Sequence, residues 1–372
     1  MNTSDSACLS QRLNALTTLM RGEGLDLALL FDRDNIRYFT GFRINRVVSS
    51  ILAISPAEGA TYIVAKLDLN RAKRDCWINQ IIPFPEDTPN YLDALQPLLS
   101  ASVRHIGVDK DALSLAQAEY LNELAGDHSE LIDVRALTSK LRVVKSPQEI
   151  DNLRRAADIA SHAMEKVQGA IRPGMREVEL SAWAEYLMSK EGAEGSSFEP
   201  FLMSGENAWL PQRISSQKIL REGEMALLDM GAIYKGYCSD TTRTFAVGEV
   251  SARQREIFRV AREAQRAAID SVCSGVAACD VDAAARTVVK DAGYGKFFPH
   301  LTGHGVGLST HEAPIIDCGI DMILEPGMVL TIEPGVYVPG VGAARVEDMV
   351  VVTDSGCELL TSAPRGLTQE KE

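Results

Sequence analysis

The first part of the chain alternates between helical and strand-like spacing of its hydrophobic residues. Residues 9–22 place leucine and methionine at helical intervals, and the apolar run at 25–32 predicts a buried strand. Helical segments are also predicted near 89–101 and 112–125. The other predicted strands are 49–55, 60–65, 105–110 and 130–134. This alternation is typical of an α/β domain.

A helix start after this region marks a domain boundary. Ser146 suits the N-cap, Pro147 the first helical position, and Glu149 stands three residues after the cap. We therefore predict an N-terminal domain over 1–143 and a second domain over 144–372. The last residues, from 361, lack periodicity and are expected to fray.

The stretch 225–245 predicts a β-hairpin, because two apolar arms flank the turn residues Lys235-Gly236. This turn sets Asp229 opposite Thr242, and side-chain alternation then puts Asp240 on the same face as Asp229. Two acids in an apolar sheet repel each other and lose hydration unless a cation lies between them. The pattern therefore predicts a bound metal ion.

The order of elements after the boundary repeats at about a hundred residues. Two predicted helices and a hairpin form each copy, and the second hairpin carries Glu333 and Glu347 in its two arms. Asp229 to Glu333 spans 333 − 229 = 104 residues, and Asp240 to Glu347 spans 347 − 240 = 107. The near-equal separations predict a duplication in which each half supplies a carboxylate pair. The predicted elements are 147–169, 175–191 and 225–245 in the first copy, and 251–272, 279–291 and 328–353 in the second.

A histidine flanked by glycines, His304, lies between the two hairpins in the segment LTGHGVGLSTHEAP (301–314). Four carboxylates and one imidazole suit divalent manganese, cobalt, iron or zinc, with manganese the leading candidate, and four carboxylates exceed what one ion needs. Two ions held by such a set activate water and polarise a carbonyl group. The pattern therefore predicts metal-assisted hydrolysis with two divalent ions.

Charge and cysteine content restrict the partners and the compartment. The formal net charge is −13, with the acids spread along the chain, which argues against nucleic acid and anionic membranes as partners. No apolar run approaches the roughly 18 residues of a membrane span. Seven cysteines without a regular spacing favour reduced thiols, so we expect a cytoplasmic protein.

Four segments carry a resemblance to a known family: DMGAIYKGYCSDTTRTF, LTGHGVGLSTHEAP, TIEPGVY and ARVEDMVVV. They resemble the pita-bread metallopeptidases, which include prolidase, aminopeptidase P and methionine aminopeptidase, and also the metal-free creatinase. The resemblance covers about 146–355, and the earlier segment DNIRYFTGF (34–42) resembles the creatinase-type N-terminal domain. It implies an α/β N-terminal domain followed by an α+β pita-bread catalytic domain.

The resemblance also implies which metal ion each ligand binds. Asp229 is expected to chelate one metal ion, and His304 and Glu333 to bind the other. Asp240 and Glu347 are expected to bridge both ions.

Further roles are implied around these ligands. His311 is expected to contact the substrate or stabilise the oxyanion, and Glu333 to move a proton to the leaving nitrogen. Arg243 and Arg345 are expected to orient the ligating carboxylates. His300, four residues before His304, is a candidate for lining the substrate pocket.

The N-terminal domain is expected to contribute to substrate binding through dimerisation. Dimeric relatives bring this domain over the pocket of the neighbouring subunit, which makes Phe42 and Arg43, in the segment 39–48, candidates for substrate contacts. We therefore expect a homodimer.

One residue departs from the family pattern. Family peptidases carry a Pro-His pair about seventeen residues before the first ligating Asp, whereas this chain has Pro211-Gln212. Gln212 donates a hydrogen bond but does not become cationic near neutral pH. It is expected to position the substrate, and its presence in an otherwise complete site favours adaptation to a different small substrate over loss by drift.

The leading interpretation is a metal-dependent hydrolase of an amide bond in a small substrate, resembling an Xaa-Pro dipeptidase or aminopeptidase. The alternative is a specialised non-peptide enzyme on the same scaffold, such as an ectoine hydrolase, a creatinase-like amidinohydrolase or a dimethylsulfoniopropionate lyase. A non-catalytic pita-bread binding module is a remote alternative, because such modules usually lose ligands and this chain keeps all five.

Overall fold

The computed structural model describes residues 3–45 and 48–367. Residues 46 and 47, within the segment 39–48 singled out above, lie outside the described residues, as does the chain after 367. The chain divides into two compact units, Met1–Arg142 and Val143–Glu372.

The N-terminal unit is an α/β domain built on one mixed sheet with strand order β4-β3-β2-β1-β5-β6. Strands β1, β5 and β6 run parallel, whereas β2 is antiparallel to both β1 and β3. Its elements are α1 (Thr3–Gly22), β1 (Leu27–Leu30), α2 (Arg33–Thr40), β2 (Ser50–Ser55), β3 (Gly59–Ala65), α3 (Leu69–Asp75), β4 (Gln80–Phe84), β5 (His105–Val108), α4 (Leu115–Ala125), β6 (Glu130–Asp133) and α5 (Arg135–Val143).

The expected strands and first helix of this unit are confirmed, but four elements were missed and one was of the wrong type. Helices α2, α3 and α5 have largely polar sequences, and β4 contains Pro83, so none shows a clear apolar period. The segment predicted as helical near 89–101 forms a 3₁₀ helix over Tyr91–Leu98 with Pro97 inside it. Proline lacks the N–H that a longer α-helix requires at that position.

The C-terminal unit contains two helix pairs and two sets of strands. Strands form sheets of order β12-β9-β8, β11-β10-β7, β14-β13-β15-β18-β19 and β16-β17. The elements are α6 (Pro147–Ala170), α7 (Glu177–Lys190), β7 (Gly195–Ser196), β8 (Phe201–Ser204), α8 (Glu206–Trp209), β9 (Glu224–Met230), β10 (Ala232–Tyr234), β11 (Tyr237–Cys238), β12 (Thr241–Val247), α9 (Ala252–Ser271), α10 (Ala278–Asp291), β13 (Gly303–Gly305), β14 (Glu312–Ile316), β15 (Val329–Ile332), β16 (Gly335–Val338), β17 (Gly342–Arg345), β18 (Asp348–Thr353) and β19 (Gly356–Leu359).

The two long helices of this unit begin in the same way. Ser146 and Ser251 are both N-caps whose side chains accept from the backbone three residues later, where Glu149 and Gln254 return the hydrogen bond to the cap. A cap of this kind stabilises a helix by about 1 kcal/mol. The helices bury one face each against the strands, with residues such as Ala160 in α6 and Ala264 in α9 fully buried.

Each hairpin keeps one register throughout but is interrupted near its carboxylates. In the first, Tyr234 pairs with Tyr237 and Asp229 with Thr242, as the sequence predicts, and regular pairing stops around Gly231 and Asp240. In the second, β15 pairs with β18 and β16 with β17, and the residues between them are 333–334 and 346–347. The interruptions leave Asp240, Glu333 and Glu347 outside regular strand pairing, whereas Asp229 stays paired within β9.

The segment 361–367 is held by the unit, so the expectation that it frays is wrong for these residues. Thr361 and Ala363 are buried, and the Ala363 carbonyl accepts from Arg243 Nη2 at 2.8 Å. Arg365 donates to Asp348 at 2.6 Å. The segment therefore supports the strand that follows Glu347.

None of the helices in residues 3–45 and 48–367 is long and apolar enough to cross a membrane.

Candidate metal centre

Five potential ligands converge from the two hairpins and the strand between them. Asp229 lies in β9, Asp240 just before β12, His304 in β13, Glu333 just after β15 and Glu347 just before β18. All are buried except Glu333, whose side chain is 14% exposed. Each half of the unit thus supplies two carboxylates.

Short distances connect these side chains. His304 Nε2 lies 3.6 Å from Asp240 Oδ2 and 3.5 Å from Glu333 Oε1. Ligand atoms of Asp240, His304 and Glu347 all lie within 4.8 Å of one another, and Asp229 interacts with the Asp240 side chain. The residues therefore form one cluster of oxygen and nitrogen donors.

The electrostatics of the cluster call for added positive charge. Burial raises the pKa of Asp240 and of Glu347 well above their usual ranges, and repulsion by neighbouring carboxylates adds to both shifts. Burial also raises the pKa of Glu333 to about 7, although Arg345 opposes the rise. Buried Asp229 Oδ1 and Glu347 Oε1 have no hydrogen-bond partner among the described residues. Divalent cations fit this donor set, because they neutralise the carboxylates and satisfy the unpaired oxygens.

The backbone around His304 fixes the imidazole for metal binding. His304 Nδ1 donates to the Gly305 carbonyl at 3.0 Å, since a carbonyl only accepts, and this leaves the Nε2 lone pair facing the carboxylates. Burial, with help from His311, lowers the pKa of His304 to about 4 and keeps the ring neutral. A Cβ on Gly303 would lie 1.9 Å from the Thr331 carbonyl oxygen, and one on Gly305 would lie 2.1 Å from that of Ala313. Only glycine permits this close approach of strands beside the imidazole.

Arg345 is the cation at the centre of the cluster. Its Nη2 donates to Asp229 Oδ2, and its Nε donates to Thr242 Oγ1 at 3.0 Å. Its Nη1 donates to the Tyr337 hydroxyl at 3.0 Å, and Glu333 Oε2 lies 3.8 Å from its Nε. Each nitrogen of the guanidinium is therefore engaged. These contacts hold two of the predicted ligands from one side.

Arg243 lies elsewhere than the sequence suggested. Its guanidinium pairs with Asp348 at 2.7 Å and donates to the Glu347 backbone carbonyl at 2.5 Å. It therefore contacts the backbone of a predicted ligand and not a ligating carboxylate. Thr242 Oγ1, which the sequence analysis did not single out, donates to Glu347 Oε2 at 2.7 Å.

His300 and His311 occupy different environments. His300 Nδ1 donates to the Leu301 carbonyl at 2.7 Å, and its Nε2 accepts from the Tyr337 hydroxyl at 3.0 Å, so both ring nitrogens are used within the protein. The geometry makes His300 a positioning residue for the Tyr337 hydroxyl, and its expected place in the substrate pocket stays a prediction. The His311 ring packs on that of His304 with centroids 4.1 Å apart, while the residue stays exposed.

The remaining predicted substrate contacts are not equally accessible. Gln212 is exposed after α8, with its backbone N–H donating to Asn207 O at 3.4 Å. Phe42 is 1% exposed inside the N-terminal unit, where it packs on Tyr62, so its expected presentation to a substrate is not supported. Arg43 is exposed on the same unit.

Besides Thr242, Tyr337 and Arg213 also escaped the sequence analysis. Tyr337 is separated from Glu333 by a strand break, and no spacing rule connects its hydroxyl to Arg345 or His300. Arg213 follows Gln212 directly, and its charge acts on the shifted pKa values of His311 and Glu333. The sequence feature that could have identified Arg213 is its position next to Gln212, the one residue that departs from the family pattern.

The metal-free protein is expected to lose stability as pH rises from about 6.5 to about 8. A carboxyl group whose pKa is raised in the folded state binds more protons in the folded protein than in the unfolded chain, so its contribution to stability falls as pH rises. For Glu333 this fall lies between its ordinary pKa of 4.5 and about 7, and the raised pKa values of Asp240 and Glu347 act in the same direction. The pKa values of His300 and His304 are lowered in the folded protein, so these residues make stability rise with pH, but only below about pH 6.5. Above that pH the change in stability therefore reports the carboxyl groups.

Urea unfolding in a chelator at several pH values measures this dependence directly. Saturating manganese is expected to remove or reverse the fall, because bound ions favour the deprotonated carboxylates. A free energy of unfolding that rises from pH 6.5 to 8 without metal would contradict the assignment of a repulsive carboxylate cluster.

Comparison with known proteins agrees with this geometry. The model of metallopeptidase family M24 matches residues 151–354, and the model of the creatinase/prolidase N-terminal domain matches 12–144. A putative dipeptidase, YkvY, of Bacillus subtilis is 34% identical over 96% of this chain and 99% of its own length. The Xaa-Pro dipeptidase of Pyrococcus furiosus is 33% identical over 96% of this chain and 100% of its own length.

Solved structures give the same result for the whole fold. An Xaa-Pro dipeptidase from Bacillus anthracis has a TM-score of 0.89 and 35% identity, covering 97% of this chain and 99% of that one. The prolidase from Pyrococcus horikoshii has a TM-score of 0.90 and 32% identity, covering 96% and 99%. The expected α/β N-terminal domain and pita-bread C-terminal domain are thereby confirmed. With its buried cluster of carboxylates and one imidazole, the chain belongs to metallopeptidase family M24 and is a metal-dependent hydrolase.

Proposed function

We propose that this protein is a dinuclear, metal-dependent dipeptidase that hydrolyses Xaa-Pro dipeptides. The observation that carries the proposal is the buried set of four carboxylates and one imidazole, in a chain similar over its whole length to proteins named Xaa-Pro dipeptidases. A non-catalytic binding module would have no use for so costly a concentration of buried charge.

We assign the ligands as the family resemblance implies. Asp229 would hold one ion, His304 and Glu333 would hold the other, and Asp240 and Glu347 would bind both. Manganese is the proposed metal, with cobalt, zinc and iron as alternatives. Divalent ions, when bound, polarise a carbonyl group and make a water molecule more acidic.

The residues around the ions carry the proton movements. Glu333, whose carboxylate oxygens lie 3.5 Å from His304 and 3.8 Å from Arg345, is placed to accept a proton from water and pass it to the leaving nitrogen. Burial lowers the pKa of His311, so a neutral ring beside His304 is placed to donate a hydrogen bond to the developing oxyanion. Arg345 holds Asp229 in place and, with Thr242, fixes the arrangement of the carboxylates.

Gln212 is the observation that keeps a second function open. A neutral amide at this exposed position suits a small non-peptide substrate, such as that of an ectoine hydrolase, a creatinase-like amidinohydrolase or a dimethylsulfoniopropionate lyase. A panel of Xaa-Pro dipeptides, longer Xaa-Pro peptides, cyclic amidines and creatine, assayed with manganese, cobalt and zinc, separates the two functions. The dipeptidase proposal requires the dipeptides to be the best substrates.

The Gln212→His variant is expected to raise kcat/KM for an Xaa-Pro dipeptide by roughly 2- to 30-fold. A hydrogen bond from a charged donor contributes about 1.5–3 kcal/mol against about 1 kcal/mol for a neutral one. The measurement is initial-rate kinetics on one dipeptide with saturating metal. Gln217→His, a change of the same kind on the same connection, is the control and should leave kcat/KM unaltered. A variant with lower kcat/KM on every dipeptide would instead favour a non-peptide substrate.

We also propose a cytoplasmic homodimer. All seven cysteines lie in the described residues without a disulfide, as reduced thiols in the cytoplasm would. Leu210 and Ile214, on either side of Gln212, are 53% and 66% exposed, which suits partial burial against a second copy. Light scattering of the metal-loaded protein measures the oligomeric state, and a monomer of full activity would contradict the dimer.

A further inference from the structure

The loop that carries Gln212 is fixed along the strand next to Asp229. Strand β8 pairs with β9, where Phe201 stands opposite Asp229. Further along β8, the Leu202 N–H donates to Ser215 Oγ at 2.8 Å, and the Arg213 N–H approaches Met203 Sδ at 3.0 Å. The loop therefore runs beside the sheet that supports one predicted ligand.

A buried carboxylate holds both ends of this loop. Glu177, fully buried in α7, accepts from the Ser204 N–H at 2.7 Å and from the Asn207 side chain at 2.9 Å. It also accepts from the Ser216 N–H at 3.1 Å and the Ser216 hydroxyl at 2.7 Å. The segment between these anchors is consequently held in one conformation on the protein.

Arg213 adopts a backbone conformation that L-residues rarely take. Its φ is 53°, in the left-handed region, and only Lys235 shares this property among the other non-glycine residues that the structure describes. Lys235 occupies a hairpin turn that needs such a conformation, whereas Arg213 lies in an irregular loop. Glycine would take the same conformation without strain. An arginine in this strained backbone conformation indicates a functional role for its side chain.

Among the residues that the structure describes, none supplies an acidic partner to the side chain of Arg213. The residue is exposed, and within the described ranges no carboxylate oxygen lies within 4.0 Å of its guanidinium. The Arg213 backbone nevertheless contacts Met203, whose side chain packs in one buried cluster with Tyr337, and the Tyr337 hydroxyl contacts Arg345 and His300 at the centre. Arg345, the other cation there, has each nitrogen engaged by protein groups.

We propose that Arg213 is a specificity residue that binds the free α-carboxylate of the dipeptide substrate at the edge of the metal centre. This inference rests on the proposed dipeptidase function and specifies which end of the substrate is recognised. The carboxylates of the centre repel an anionic substrate, and an unpaired guanidinium offsets that repulsion with two parallel hydrogen bonds. Longer peptides lack a carboxylate at this distance from the scissile bond, so Arg213 selects dipeptides.

The test compares alanyl-proline with alanyl-prolinamide, which differ in the terminal charge. We expect the manganese-loaded protein to prefer the acid, and Arg213→Gln to lower kcat/KM for the acid by about 10- to 100-fold while changing the amide less than about twofold. Arg221→Gln is the matched control, because Arg221 is an exposed arginine on the same connection, eight residues further along the chain. The control variant should leave kcat/KM for both substrates unchanged.

Arg213→Gly separates a recognition role from a structural one. Glycine relieves the left-handed backbone strain, so the melting temperature is expected to stay level or rise while the preference for the acid disappears as in Arg213→Gln. If Arg213 had only a structural role, Arg213→Gly would instead lower the melting temperature and reduce kcat/KM for both substrates together. That result would overturn the proposal.

Failure of this inference is distinguishable from failure of the dipeptidase function. Equal use of acid and amide by the wild type refutes the carboxylate contact and leaves the dipeptidase function standing. If neither compound is cleaved, the dipeptidase function fails, and calorimetric binding of the two compounds to the manganese-loaded protein decides on Arg213. Tighter binding of the acid that Arg213→Gln removes supports the contact, and equal affinities overturn it.

Discussion

Asp240→Asn is expected to reduce hydrolysis by about a thousandfold or more and to lower the number of bound divalent ions. Asp240 lies 3.6 Å from His304 and, with Glu347, is assigned to bridge both ions. The amide keeps the shape of the side chain but brings no negative charge to the ions. Metal content by mass spectrometry, together with kcat/KM on an Xaa-Pro dipeptide, measures both effects.

The same variant is expected to be no less stable than the wild type when both are metal-free. Burial and the repulsion from its neighbours make the ionised Asp240 side chain unfavourable in the folded protein, and asparagine removes that repulsion. Manganese should then raise the melting temperature of the wild type much more than that of the variant. Full metal occupancy in Asp240→Asn would refute the bridging assignment.

Asp109→Asn is the matched control for this experiment. Asp109 is a buried carboxyl of the N-terminal unit whose pKa is raised to about 6, chiefly by burial, and which accepts from the Phe31 and Asp32 N–H groups. Its replacement is expected to alter stability while leaving metal content unchanged. A loss of metal in this control would show that any disturbance of the fold empties the centre.

Arg345→Met is expected to destabilise the metal-free protein by about 3–5 kcal/mol. The change leaves Asp229 and Glu333 buried without their nearest cation, and it removes the donors to Thr242 and Tyr337. The carboxyls partly escape the cost by binding protons, so the loss should be larger at pH 8 than at pH 6. Because bound manganese supplies positive charge at the same place, metal is expected to recover part of the lost stability.

Arg243→Met provides the comparison for Arg345→Met. Arg243 is also fully buried, but its charge is matched by Asp348, away from the ligating carboxylates. Its loss should destabilise the protein on the same scale without recovery by manganese. Equal recovery in both variants, measured by urea unfolding with and without metal, would contradict the assignment of Arg345 to the centre.

The hairpins were predictable from the sequence because their geometry is local. Lys235-Gly236 fixes a turn, the turn fixes the register, and the register places Thr242 opposite Asp229 as observed. The meeting of the two halves required more than local rules. Their equivalent positions could be read from near-equal separations along the chain, but the distances between His304, Asp240 and Glu333 depend on how the sheets pack.

The residues that escaped prediction interact across the fold and not along it. Thr242 donates to Glu347 from the opposite hairpin, and Tyr337 connects His300 with Arg345 through its hydroxyl. Such contacts join residues whose spacing in the sequence carries no information about their hydrogen bonds. Phe42 was misjudged for a related reason, since an aromatic residue in a polar segment can equally be packed inside its own domain.

The division of the ligands between two halves has a consequence for the newly made protein. Asp229 and Glu347 are separated by 347 − 229 = 118 residues, which a ribosome takes roughly 6–24 s to add. During that interval the first hairpin carries its acids without the imidazole and glutamates that complete the cluster. The complete set of ligands exists only after Glu347 has been added, so metal binding to the full site follows synthesis of the second half and cannot occur on the nascent first half.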